Sequence, residues 1–286
     1  MLSVLNPTTH STSRPVGQPT RGKTARQRLR RVDTFLMLYD DVLFRRCEGI
    51  FSSACFVDLG YGAEPFTTLE SARRLRRLNP SLPVLGVEID PQRVAAAMPF
   101  EDNLTRFRVG GFNLPLHPNE NARAIRAFNV LRQYREEEAP EYLSLLGQQL
   151  LPGGLLIEGT SDPMGRIWTA NVFRRTAQGI HQTGLLFSTN FRWGFEPALF
   201  QPVLPKNFIH RMIPGEPIHS FMQAWKTAAC QTMPFKAFGL RQWFSASAHA
   251  LALGGYRIEL RRRFLNKGFL FWQFGKDDGQ PAGWSL

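Results

Sequence analysis

The residues with the clearest chemical content are Val57-Asp58-Leu59-Gly60-Tyr61-Gly62 and, further on, Glu88. Two glycines one residue apart, directly after an apolar run, let the main chain turn sharply and approach a ligand closely. Glu88 stands 28 residues after Gly60, near the end of the next apolar run. An acid there can accept hydrogen bonds from both hydroxyls of a ribose. Where a dinucleotide-binding turn carries its third glycine, this chain has Pro65. A nucleoside ligand without a pyrophosphate needs no such glycine. Asp58 then suits the site, since it can hold a cationic amine or order the loop, whereas it would repel a pyrophosphate. Asp58 as a plain cap of the turn is the alternative reading.

The elements that must position these residues alternate along the chain. Gln27 to Cys47 keeps an apolar face at helical spacing. Ala54 to Leu59 reads as a strand buried on both faces. A helix follows over Phe66 to Leu78, with capping-box spacing at Thr67-Thr-Leu-Glu70. Pro83 to Ile89 is the second strand, and Pro91 to Ala97 a short helix that Asp90 can cap. Leu104 to Val109 and Ala122 to Phe128 are the third and fourth strands, and Asn129 can cap a helix after them. Glu136 to Leu151 reads as a helix stopped by Pro152-Gly153-Gly154, and Leu155 to Gly159 as the fifth strand. Such alternation implies a parallel sheet with right-handed crossovers. Beyond Thr160 the rhythm changes. Ile167 to Phe173 and Gly184 to Ser188 are expected to form an antiparallel pair closing the sheet. Glu216 to Leu253 is expected to be mainly helical with a break near Pro234. Tyr256 to Leu265 and Gly268 to Phe274 read as a terminal hairpin.

Asp58-Leu-Gly-Tyr-Gly62, Gly86-Val-Glu88-Ile-Asp90, Gly110-Gly-Phe-Asn-Leu-Pro115 and Leu151-Pro-Gly-Gly154 resemble, in order and spacing, the motifs of class I S-adenosylmethionine-dependent methyltransferases. The chain also resembles a bacterial subgroup of methyltransferase-like proteins. The phrases Thr20-Arg-Gly22, Arg28-Leu-Arg-Arg-Val-Asp33, Arg126-Ala-Phe-Asn-Val-Leu-Arg-Gln-Tyr134, Ile209-His-Arg211 and Pro214-Gly-Glu216 carry that likeness, which brings no substrate with it. The resemblance implies an α/β fold: a doubly wound, seven-stranded, mostly parallel Rossmann-like sheet with a C-terminal extension. It also implies S-adenosylmethionine as cofactor. Asp58, Gly60 and Gly62 would surround its methionine part, Glu88 would bind the ribose diol, and Ile89 would pack on adenine. Gly111-Phe112 stands where many members have an acid for the adenine amino group, so Phe112 would lie against the ring; Phe112 as core is the alternative. Asn129 would face the sulfonium or the acceptor.

Methyl transfer is an in-line displacement that needs a positioned acceptor with a free lone pair. A hydroxyl or ammonium acceptor needs a base as well. His210 and His219 are of the residue type most often used as such a base, Glu158 and Asp162 lie near the end of the fifth strand, and a structural role is open for each. The arm from Arg21 to Arg31 and the segment Lys206 to Glu216 are expected on the acceptor side. The expected domains are a flexible basic arm over 1–25, a cofactor-binding domain over 26–195, and an extension over 196–286 packed on it. Nothing in the sequence points to a metal.

The composition bounds the alternatives. The chain has 286 residues, 43% of them hydrophobic, which is enough for a substantial core. Three cysteines, Cys47, Cys55 and Cys230, suit a reducing compartment and neither a disulfide scaffold nor a zinc ribbon. No apolar run reaches the length of a membrane span, and Met1 to Leu5 is too short for a signal-peptide core. A cytoplasmic protein is expected; an organelle transit peptide is the alternative, weakened by Pro15 and Pro19. The formal net charge is +12, and the stretch Met1 to Val32 holds seven basic residues and no acid. That motivates an anionic or nucleic-acid partner, and with it a nucleic-acid methyltransferase as rival. A non-catalytic protein retaining the fold is a second rival, and a nicotinamide dehydrogenase a third.

Overall fold

The computed structural model describes residues 14–20 and 24–275. Helices α1 (Arg30–Tyr39) and α2 (Asp41–Arg45) come first. Then follow β1 (Ala54–Leu59), α3 (Phe66–Leu75), β2 (Val84–Glu88), α4 (Pro91–Ala97), β3 (Thr105–Val109), β4 (Asn121–Phe128), α5 (Ala139–Gln148) and β5 (Leu150–Ser161). The last part comprises β6 (Ile167–Thr176), β7 (Gly179–Thr189), α6 (Lys206–Ile209), α7 (Pro217–Gln231), α8 (Leu240–Leu253), α9 (Arg262–Leu265) and β8 (Phe269–Gln273).

All eight strands join one sheet in the order β3-β2-β1-β4-β5-β6-β7-β8. The first five are parallel, in the 3-2-1-4-5 order of nucleotide-binding α/β sheets. The remaining three run antiparallel. Among the described residues the strand count is therefore eight, where seven were expected. Helices α1, α2 and α3 pack on one face of the sheet, through Phe35, Leu36, Phe44 and Leu75. On the other face α5 packs through Leu143 and Leu146. Helices α7 and α8 cover the antiparallel half there through Phe221, Trp225 and Phe244.

Several boundaries differ from the sequence reading, each for a local reason. The helix over Gln27 to Cys47 breaks at Asp40, whose side chain accepts from Leu43 N and starts α2. The helix before β5 ends at Gln148. Pro152-Gly153-Gly154 is a bulge inside β5, with Gly153 at φ +76° and a register shift opposite Ala122–Ala124. The capping box at Thr67 does not form, because Thr67 and Thr68 donate to Asp58. Asp90 does cap α4, accepting from Gln92 N at 2.9 Å. After β4 only a 3-10 turn over Leu131–Gln133 forms, and its N-cap is Val130 rather than Asn129. The terminal hairpin is replaced by β8 alone, paired with β7. Ile258 makes a single bridge to Trp272, and Arg262–Leu265 is helical.

Candidate functional site

The sheet order reverses between β1 and β4, and the crevice outside the carboxyl ends of these strands is where such sheets bind ligands. A cavity lies there, walled by Leu59 and Gly60 at the end of β1, Glu88 and Ile89 at the end of β2, Gly110 to Phe112 after β3, and Val130 with Tyr134 after β4. Gly60 at φ +69° and Gly62 at φ +91° hold the turn in a region that disfavours side chains. A Cβ on Gly60 would also stand 2.8 Å from the Val130 side chain.

Glu88 is 1% exposed. Its Oε2 accepts from Gly62 N at 2.9 Å, and its Oε1 accepts from Ile89 N at 3.0 Å. Arg93 Nη1 stands 3.6 Å from the same carboxylate. Thus Gly60, Glu88, Ile89, Gly111 and Phe112 meet at one cavity. Tyr61 turns away into a small cluster with Phe107, ring centroids 5.3 Å apart. Burial, and then the nearby Glu88 and Asp58 carboxylates, push its phenol well up.

Asp58 is not at that cavity. Its two oxygens face Arg126, with Nε donating to one at 3.0 Å and Nη2 standing 2.8 Å from the other, and the latter takes both threonine hydroxyls at 2.8 Å. Arg126 reaches on to Asp33 at 2.5 Å, and Arg74 donates to Asp33 at 2.8 Å. Burial works against the charge on Arg126, but Asp58 and Asp33 outweigh it and hold the guanidinium above its ordinary value. Asp58 therefore orders the turn through α3 rather than facing a ligand.

The other candidates are dispersed. Asn129, at φ +60°, ties the ends of β4 and β5 together: its Oδ1 accepts from Ser161 N at 3.0 Å and its Nδ2 donates to Ser161 Oγ at 3.3 Å. Asp162 closes the β5–β6 turn, accepting from Met164 N and Ile167 N at 3.1 and 2.9 Å. Glu158 lies buried on the α5 side of the sheet and accepts from Asn171 Nδ2 at 2.9 Å. Burial raises it to about 7. His210 ends α6, and His219 on α7 contacts Gln223; neither lines the cavity. Among the described residues no group of three or more His, Cys, Asp or Glu could hold a metal ion. No described helix is long and apolar enough to cross a membrane.

Residues 14–20, read from the sequence as part of a flexible arm, lie across the cavity as a strap. Phe112 N donates to Val16 O at 2.9 Å, Val16 N to Asn113 Oδ1 at 2.7 Å, and Gln18 N to the Tyr134 hydroxyl at 2.5 Å. Arg93 Nη1 holds Thr20 O at 3.0 Å, and Thr20 Oγ1 stands 3.5 Å from Glu88 Oε2. With the strap in place the cavity measures about 20 Å³, room for a water or two. The sequence reading missed this strap, along with Tyr134, Asp33 and Arg126 as site-building residues. Their signal was present only in the subgroup phrases. Arg21 to Lys23, the rest of the basic arm before 14, and the tail beyond 275 with Trp284 lie outside the described residues. Of the arginines that follow, Arg26 is exposed and stacks on Phe66, and the partly buried Arg28 bonds Ser161.

No family model and no curated protein matches the chain. Solved structures with a partial likeness include several methyltransferases and a pericyclic reaction enzyme. Magnesium protoporphyrin IX methyltransferase from Synechocystis PCC 6803, with bound SAH, is 19% identical over 47% of this chain and 55% of that one, at a TM-score of 0.35. The CcbJ methyltransferase from Streptomyces caelestis is 14% identical over 56% and 71%, at 0.33. The CMeT domain of the citrinin polyketide synthase is 19% identical over 39% of this chain and 30% of that one, at 0.33. This chain therefore spans less than a third of the synthase chain. The functional reading rests on the residues at the site.

Proposed function

We propose that the chain binds S-adenosylmethionine at the β1–β4 edge and transfers its methyl group to a separate acceptor. One observation carries this reading: the buried Glu88 carboxylate, fixed by the Gly62 and Ile89 amides, lines a cavity at the sheet's reversal point beside the Gly60 turn. The donor set fits an adenosine. Glu88 accepts from the ribose hydroxyls, Ile89 and Phe112 offer apolar surface to the base, and the Phe112 amide becomes a free donor once Val16 leaves it. In the strapped state Thr20 supplies a hydroxyl to the same carboxylate.

When bound, the cofactor supplies an electrophilic methyl group on a sulfonium. The chain's own residues supply position. Asp58 and Arg126 hold α3 and the glycine turn, and Asn129 holds the β4–β5 edge. The titratable groups lining the cavity are Glu88 and Tyr134, so orientation of an acceptor that already carries a lone pair is the main catalytic resource. Entry of the cofactor requires residues 16–20 to leave the cavity, because strap and ligand use the same Phe112 amide and Glu88 carboxylate.

The strap also favours a second reading, a non-catalytic protein that keeps the fold and fills the site with its own chain. Calorimetric titration with S-adenosylmethionine, S-adenosylhomocysteine and NAD separates the two. Micromolar binding of the first two, lost in Glu88→Ala without loss of folding, supports the enzyme. No binding of any of them supports the second reading. Binding of NAD alone overturns the nucleoside reading of the glycine turn.

A further inference from the structure

A second hollow opens on the same sheet edge, at the antiparallel end. The carboxyl end of β5 pairs with the start of β6, and the start of β6 with the end of β7 (Ser161 opposite Trp168, Ile167 opposite Thr189). The hollow follows β7. It measures about 410 Å³ and is lined by five cations, Arg30, Arg31, Arg192, Arg241 and Lys267, with Thr34, Asn190 and Asn266 as further polar groups and, among the described residues, no acid. Phe191 is its one apolar wall.

Two of the cations, Arg31 and Arg241, are held there by main chain and rings. Arg31 donates from Nε to Ser188 Oγ at 3.0 Å and from Nη2 to Lys267 O, and lies 4.7 Å over the Phe269 ring. Arg241 donates to Asn266 O at 3.2 Å and lies 5.4 Å over Phe191. Among the described residues, Arg30, Arg192, Arg241 and Lys267 take part in no ion pair with an acid within 4 Å. Burial, then Arg30 and Arg241, lower the Arg31 guanidinium to about 10. Arg30 and Arg31 open α1 and Arg241 lies in the first turn of α8, the helix ends where cations are least favoured. Like charges gathered at one hollow repel one another, and an anion placed among them would relieve that repulsion.

We propose that this hollow is a binding site for a small phosphate-bearing molecule, its guanidinium forks and ammonium converging on the phosphate oxygens. The convergence of the cations on one concave volume, rather than along an open track, favours a compact ligand over a nucleic-acid backbone. This inference is independent of the methyl-transfer reading, because no residue of the hollow lines the β1–β4 cavity.

Titration with inorganic pyrophosphate, and separately with a single-stranded oligonucleotide, tests it. Pyrophosphate should bind, and Arg241→Gln and Arg192→Gln should each weaken it about tenfold. Arg77→Gln, an exposed arginine just beyond α3 at the opposite edge, should leave it unchanged. Circular dichroism checks that each variant folds. Absence of pyrophosphate binding, equal loss in Arg77→Gln, or binding of the oligonucleotide alone overturns the proposal.

Discussion

Arg126 and Asp33, 93 positions apart, meet at 2.5 Å with neither side chain exposed. Together with Asp58 and Arg74 they form a charged knot between β1, β4, α1 and α3. The knot joins the first helix to the strand that carries the glycine turn.

Removing Arg126 leaves two buried carboxylates without their main partner. Arg126→Met should therefore destabilise the protein by about 3–5 kcal/mol, far more than its added apolar surface returns. Urea unfolding measures this. A loss below about 1 kcal/mol would show that the knot does not hold the fold together.

The strap competes with a ligand for shared groups. Tyr134→Phe removes the hydroxyl that receives Gln18 N, an interaction worth about 1 kcal/mol. Binding of S-adenosylhomocysteine should then tighten by roughly fivefold. If binding weakens instead, the strap acts as part of the ligand's cover.

Gly111 lets the strap lie flat. A Cβ there would stand 1.9 Å from Val16 O. Gly111→Ala should therefore eject residues 14–20 and expose the Phe112 amide. Hydrogen exchange at Phe112 should accelerate, with little change in the strands of the sheet. Unchanged protection would place the docking energy elsewhere.

Glu158 is raised from 4.5 to about 7 by burial, against the opposing pull of its Asn171 bond. A folded-state value above the unfolded one stabilises at low pH, and that stability is lost as pH rises from about 4.5 through 7. Wild type should thus lose stability over this window relative to Glu158→Gln, by about 3 kcal/mol at most. Urea unfolding at about pH 5 and about pH 8 reads the difference. Parallel pH dependence in the two proteins would show that Glu158 ionises freely.

The parallel half of the sheet was legible in the sequence because its signals are local. Apolar runs of strand length, Gly60 and Gly62 at a turn, and Asp90 ahead of Pro91 each act within a few residues. The same holds for Glu88, placed at the cavity by its position at the end of β2. Asp58 shows where local reading stops. Its type and spacing fit a ligand contact, yet its carboxylate is taken up by Arg126 from another strand and by two threonines of α3. The strap is the same case at larger scale. A Pro- and Gly-containing stretch without periodicity has no pattern to announce a docked state, and its order comes from Phe112, Asn113 and Tyr134, about a hundred positions away. The sequence by itself determined the alternation of elements and the turn chemistry. Which carboxylate faces the cavity, what fills it, and how β6, β7 and β8 extend the sheet were decided by tertiary structure, because pairings between distant segments leave no periodic trace in either partner.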